Sequence, residues 1–187
     1  MKMIEKFRAL YVQMGLQLSR FLEPLALFFL RFMVAKVFLD SGLSKWDGFL
    51  QFNVDKYDLF MYEFFCPDPV RPGALQLCNP ETLDYVEGSF VVKMIELLAV
   101  FAGIAEVLLP ILLIIGLFSR FAALGLIGMT MFIQLAVFPT WDHWINPASW
   151  WAISLLVIVA RGPGILSIDR LLGLDAKPTS VHHDASH

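Results

Sequence analysis

Ionisable side chains inside long apolar runs are the first residues here whose type and position point to chemistry. Arg31 falls near the middle of one such run and Glu106 near the middle of another. A lone charge in hydrocarbon costs several kcal/mol, so each needs a partner or a purpose. Placed on antiparallel helices at equal depth, the two predict a buried Arg31–Glu106 pair. That pair serves as a structural tie, as a contact for a ligand headgroup, or as a step in a proton path. Lys36 and Glu96 form a second, shallower combination, with Lys36 snorkelling to the surface as the favoured outcome. Depth alone gathers Asp40, Lys45, Glu96, Gln134 and His143 at one end of the same runs, as a polar pocket beside the pair.

The sulfur and imidazole groups pose a separate question. Cys66 and Cys78 are the two cysteines, and no Cys-x-x-Cys motif is present. A disulfide is the leading expectation, worth about 3 kcal/mol for so short a loop. Soft-metal ligation together with His143, or two unpaired structural thiols, are the alternatives, and no metal site is assigned. Haem b held in a bundle needs axial histidines within the spans. The other histidines, His182, His183 and His187, lie in the C-terminal tail, so haem is not expected in this chain. Phosphate loops, dinucleotide fingerprints, nucleophile elbows and zinc-protease motifs are missing, so no self-sufficient catalytic constellation is expected.

The elements that position these groups follow from composition. Hydrophobic residues make up 58% of the 187 residues and charged residues 17%, with a net charge of −3. A soluble fold of this size cannot hide that much apolar surface, whereas lipid can. The absence of a basic run argues against nucleic-acid binding. The reading is an all-α bundle of four transmembrane helices, with spans at about 21–39, 94–118, 121–138 and 147–162. Pro110 falls inside the second span and is expected to kink it. Ala122, Gly125 and Gly128 give the third span a strip for close packing.

Residues 40–92 form a long polar loop, ordered or semi-ordered. Residues 1–20 interleave charge with apolar residues at Met3, Ile4, Phe7, Leu10, Tyr11, Met14 and Leu18. That spacing makes an amphipathic helix lying on the membrane surface, or a helical extension of the first span. It does not look like a cleavable signal peptide. Residues 173–187 read as a disordered tail. The membrane-flanking positive charges divide eight to four: Lys2, Lys6, Arg8, Arg20, Arg120, Arg161, Arg170 and Lys177 against Lys45, Lys56, Arg71 and Lys93. The positive-inside rule then puts both termini in the cytoplasm and the long loop outside, in a plasma (inner) membrane.

Three segments carry motifs at fixed places relative to the apolar runs. The first runs from Leu30-Arg31-Phe32 through Asp40-Ser41-Gly42-Leu43-Ser44-Lys45. The second joins Glu106 to Gly116-Leu117-Phe118-Ser119-Arg120 and the small residues after it. The third is Arg161-Gly162-Pro163-Gly164 with Ser167 and Asp169. Together these segments resemble the DoxX family of small membrane proteins, over about residues 25–172. The resemblance implies a four-helix membrane bundle and singles out Arg31, Gly42, Lys45, Glu106, Arg120 and Asp169. It also implies one of three roles: a subunit of a quinone-linked oxidoreductase, a response to thiol or oxidative stress, or a link to copper. The loop from Cys66 to Glu87 departs from the family pattern in length and in its cysteines.

The expectation is a membrane redox subunit that holds a quinone or similar lipophilic carrier through Arg31, Lys45, Glu96, Glu106, Gln134 and His143. The rivals are a non-catalytic anchor for a partner enzyme, and copper or thiol handling at the outer face. Membrane lipid, a partner redox subunit and a second copy of the chain are the expected partners.

Overall fold

The computed structural model describes residues 2–175. Four long helical segments run alternately up and down, so that the long loop lies at one end of the bundle and both ends of the described chain lie at the other. Helix α1, Lys2–Leu43, is a single helix of 42 residues, about 63 Å long. Residues 2–20 run without a break into the span that follows, and residues 3–20 are exposed on every face. Pro24 is carried within it.

After α1 come a two-stranded hairpin, β1 (Trp46–Gly48) and β2 (Gln51–Phe52), and helix α2 (Asp55–Asp58), which widens into a π-helical stretch Leu59–Phe64. Helix α3, Phe90–Ile115, starts at Ser89, whose side chain accepts from the Val92 amide, and stops at Gly116, φ +74. That is the left-handed conformation in which helices commonly end and which glycine adopts without strain. Helix α4, Ser119–Phe132, widens into the π-turn Ile133–Val137.

Between the expected spans 121–138 and 147–162, the chain is helical from Trp141. The short α5, Trp141–His143, leads through Trp144–Ala148 into α6, Ser149–Arg161. Pro147 and the non-helical Asn146 interrupt the hydrogen-bond ladder there without ending the element. A last short helix, α7 (Ile168–Leu171), folds back under the bundle. Gly173–Asp175, expected as part of a disordered tail, are held in place: the Leu174 amide donates to the Asp169 carbonyl and Asp175 meets Arg120. The rest of the expected tail lies outside the described residues.

Three segments are long and apolar enough to cross a membrane: Phe90–Ile115, Ser119–Val137 and Trp141–Arg161. Two cores divide the molecule. The first unites all four long helices around Val34, Phe38, Leu113, Leu126, Leu155 and Ile158. The second lies at the loop end, where Phe60 and Phe65 pack on Ile95 and Ala99 of α3. The long loop is therefore a folded cap on α3. The Tyr85 hydroxyl, donating to the Met61 carbonyl at 2.9 Å, ties it, and burial pushes that phenol's pKa up to about 12.

Cys66 and Cys78 are joined in a disulfide across 12 residues of sequence. On the chain-entropy account it holds the cap with about 3 kcal/mol. Replacing both cysteines by Ser is expected to leave the four-helix core intact and to open the cap. Limited proteolysis should then cut first between residues 66 and 89; an unchanged digestion pattern would show that the apolar contacts on α3 suffice alone.

Candidate functional site

The charged groups in the bundle separate into two sets at opposite ends. The expected Arg31–Glu106 pair does not form. Gly42 of α1 lies against Glu106, close enough that a Cβ there would stand 2.7 Å from the Glu106 carbonyl carbon and oxygen. Arg31 instead lies beside Gly116. Ten residues of α3 separate the two sites, about 15 Å along the axis. The cause is register. Centring each helix on its apolar run makes Arg31 and Glu106 level, but α1 continues to Leu43 and α3 begins at Phe90. The first half of α3 rises past the end of α1 to meet the cap.

At the loop end, Lys45 is the partner of Glu106. It sits in the turn that ends α1, where its amide donates to the Gly42 carbonyl at 3.0 Å and its carbonyl accepts from the Asn53 amide at 2.9 Å. The side chain folds back over the helix terminus. Its Nζ donates to Glu106 Oε2 at 2.5 Å, to the Ser41 carbonyl at 3.2 Å and to Ser41 Oγ at 3.1 Å. Three acceptors match the three N–H bonds of an ammonium. Both side chains are more than nine-tenths buried, and such a pair survives only when its hydrogen bonds are supplied in this way.

The hairpin packs on α3 at Gly103, three residues before Glu106. Trp46 Nε1 donates to the Gly103 carbonyl at 3.4 Å, and the Trp46 and Phe52 rings occupy the space that a side chain at Gly103 would need.

Glu106 opens on its other side into a cleft of about 370 Å³ between α3, α4 and the π-helical stretch of the cap. Phe60, Phe64, Phe65, Phe101 and Phe132 wall it, with Gly125 and Gly128 leaving room on α4, and Glu106 is the charged residue on its surface. A carboxylate in the wall of an aromatic, apolar slot can accept a hydrogen bond from a hydroxyl of a flat lipophilic molecule while the rings enclose its body.

The other expected site residues go elsewhere. Gln134 and His143 come together, with Oε1 and Nδ1 2.6 Å apart, and the imidazole stacks on Phe138. They form a second polar cluster, separate from Lys45 and Glu106. Glu96 is half-buried and, among the described residues, makes no ion pair. Lys36 reaches the surface and pairs with Asp40 one turn on, both more than half exposed. The cysteine sulfurs are bonded to each other, so neither is a thiolate ligand beside His143.

At the opposite end, the remaining motif residues form a clasp. Asp169 accepts the Phe118 amide at 2.7 Å and the Ser119 amide at 2.9 Å, capping α4, and its own amide donates to the Gly116 carbonyl at 2.8 Å. Fully buried Arg31 donates through Nη2 to the Leu166 carbonyl at 2.5 Å. Arg120 donates to the Val159 carbonyl at 2.7 Å and pairs with Asp175 at 3.1 Å. These groups tie the C-terminal segment to the bundle.

No curated protein and no solved structure matches the chain. A family model does: the DoxX model matches residues 26–139, which takes in α1 from Ala26, the cap, α3 and α4. The chain belongs to the DoxX family of membrane proteins.

Proposed function

We propose that this DoxX protein crosses the membrane four times and holds a quinone, or a lipophilic carrier of similar shape, in the Glu106 cleft as a small subunit of a membrane redox assembly. The observation that carries this is the buried Glu106 carboxylate, held by Lys45, in the wall of a phenylalanine-lined slot.

The fourth crossing is α1. The charges of its span, residues 21–39, meet partners: Glu23 pairs with Arg161, Lys36 pairs with Asp40, and Arg31 donates one hydrogen bond to the Leu166 carbonyl. Compensation of this kind is what lets a charged helix lie in a bilayer. The excess of Lys and Arg at the terminal end supports termini in the cytoplasm and a cap outside, where a disulfide persists. Glu106 accepts from a hydroxyl of the carrier's reduced form, and Lys45, whose three N–H bonds are already used, holds that carboxylate in place; Arg31, at the other end of the bundle, and Gln134, in its own polar cluster, do not take part.

The test is mass spectrometry of lipids and chains recovered with the gently solubilised protein. A quinone at stoichiometric level, lost on Glu106→Gln with the fold unchanged, is the expected result. Absence of quinone from both forms sinks the reading. An empty bundle that brings a soluble enzyme with it would favour an anchoring role instead. The unpartnered N-terminal half of α1 supports that second reading, because a helix exposed on all faces is available for docking.

A further inference from the structure

A recess of about 450 Å³ opens at the terminal end, where α1, the start of α4, the end of α6 and the C-terminal segment meet. Arg20, Arg120, Arg161 and Arg170 line it, together with the carboxylates Glu23 and Asp175. Arg161 pairs with Glu23, and Arg120 with Asp175. Arg170 adds a hydrogen bond at 3.5 Å to the Asp175 backbone carbonyl, which carries no charge. Arg20 has no ion pair among the described residues. Four guanidinium groups against two carboxylates leave two positive charges facing one recess.

We propose that this recess binds the phosphate of an anionic membrane lipid. Guanidinium groups recognise phosphate oxygens through paired N–H donors and remain charged throughout the accessible pH range. The depth fits: Arg161 is the last residue of α6, and the recess sits where the apolar spans end, at the level of headgroup phosphates. The lining also contains Leu27 and Ile165 beside the charges. A free phosphate ion has no use for such residues, while the glycerol and the first methylenes of an acyl chain do. Basic recesses between helices at a membrane surface suit anionic headgroups on general electrostatic grounds. The site stands apart from the Glu106 cleft, at the other end of the bundle, and does not depend on what that cleft holds.

The experiment is native mass spectrometry of the full chain released from mixed micelles containing phosphatidylglycerol and phosphatidylcholine in equal amounts. One phosphatidylglycerol retained in preference to phosphatidylcholine is expected. Arg20→Gln combined with Arg170→Gln should lower that retention on the order of tenfold, since each arginine near a membrane surface contributes appreciably to anionic lipid binding. Arg20 makes no ion pair among the described residues and Arg170 adds to the clasp only the long hydrogen bond to the Asp175 carbonyl, so the double variant should melt close to the parent. Lys6→Gln combined with Arg8→Gln, which removes as much charge outside the recess, should leave retention unchanged.

Equal retention of the two lipids, or a loss as large in the Lys6/Arg8 variant, would overturn the proposal. So would stabilisation of the protein by inorganic phosphate matching that by phosphatidylglycerol, because the recess would then be taking the free ion.

Discussion

Lys45→Met is expected to destabilise the protein by about 3–5 kcal/mol, the cost of leaving a buried carboxylate without its counter-charge. Glu106 is 6% exposed and receives its hydrogen bond from Lys45 alone among the described residues. Methionine fills much of the volume of the lysine stem but donates nothing. Glu106→Gln should cost less. A glutamine carbonyl still accepts from Nζ, and the ammonium keeps both Ser41 acceptors. Lys45→Met combined with Glu106→Gln should recover part of the loss, because no buried charge then stands alone.

The measurement is a double-mutant cycle on thermal unfolding in one fixed detergent. A coupling energy of about 1.5 kcal/mol or more is expected for two groups in direct contact. Additive losses would mean that the two side chains do not pair in the folded protein. The same cycle separates stability from ligand retention: Glu106→Gln should empty the cleft at a modest cost in stability, whereas Lys45→Met should lose both.

Each member of that pair is legible in the sequence, but their partnership is not. Apolar runs long enough to span lipid announce themselves through composition, and Phe90–Ile115 and Ser119–Val137 are legible for that reason. The two cysteines, alone of their kind and close in sequence, point to their disulfide. Which charge faces which depends on axial register, and hydropathy does not encode register. Here it is set by Gly42 lying on the Glu106 backbone and by the cap raising the first half of α3 above the end of α1.

One signal is present. Gly42 and Gly116 stand at the two ends of the α1–α3 contact, Gly42 against Glu106 and Gly116 against Arg31, a register that pairs Lys45 with Glu106 and releases Arg31. The cap is legible only as a loop. Its hairpin and π-helical stretch are short, and they owe their order to packing on α3. A second missed signal lies at the start of α4. Phe118 occupies the position where Ser, Thr, Asp or Asn normally caps a helix, and its side chain makes no cap hydrogen bond. A buried helix end without a local acceptor requires a distant one.

Asp169 is that acceptor, and Asp169→Ala is the second substitution with a large expected effect. Two amide hydrogen bonds to a buried carboxylate contribute about 1.5–3 kcal/mol each, and the carboxylate also complements the positive end of the α4 dipole. Its removal leaves the Phe118 and Ser119 amides unpaired and releases the segment whose Leu166 carbonyl holds Arg31. A guanidinium that is fully buried would then lose its acceptor as well. The expected loss is about 3–5 kcal/mol, from hydrogen-bond and charge terms that overlap rather than add.

Asp169→Asn should fall between the parent and the alanine variant, since one amide oxygen replaces two carboxylate oxygens and the charge disappears. Arg120→Ala should cost about 1 kcal/mol or less, because its ion pair with Asp175 is partly open to solvent and such pairs contribute little. Hydrogen exchange gives a local reading: in Asp169→Ala the amides of Phe118, Ser119 and Asp169 should exchange far faster, while those of α3 near Glu106 keep their protection. Unchanged protection at Phe118 and Ser119 would show that α4 is capped by something other than Asp169. The contrast between the two variants follows from burial: of two carboxylate contacts at the same end of the bundle, the one closed to water carries most of the stability.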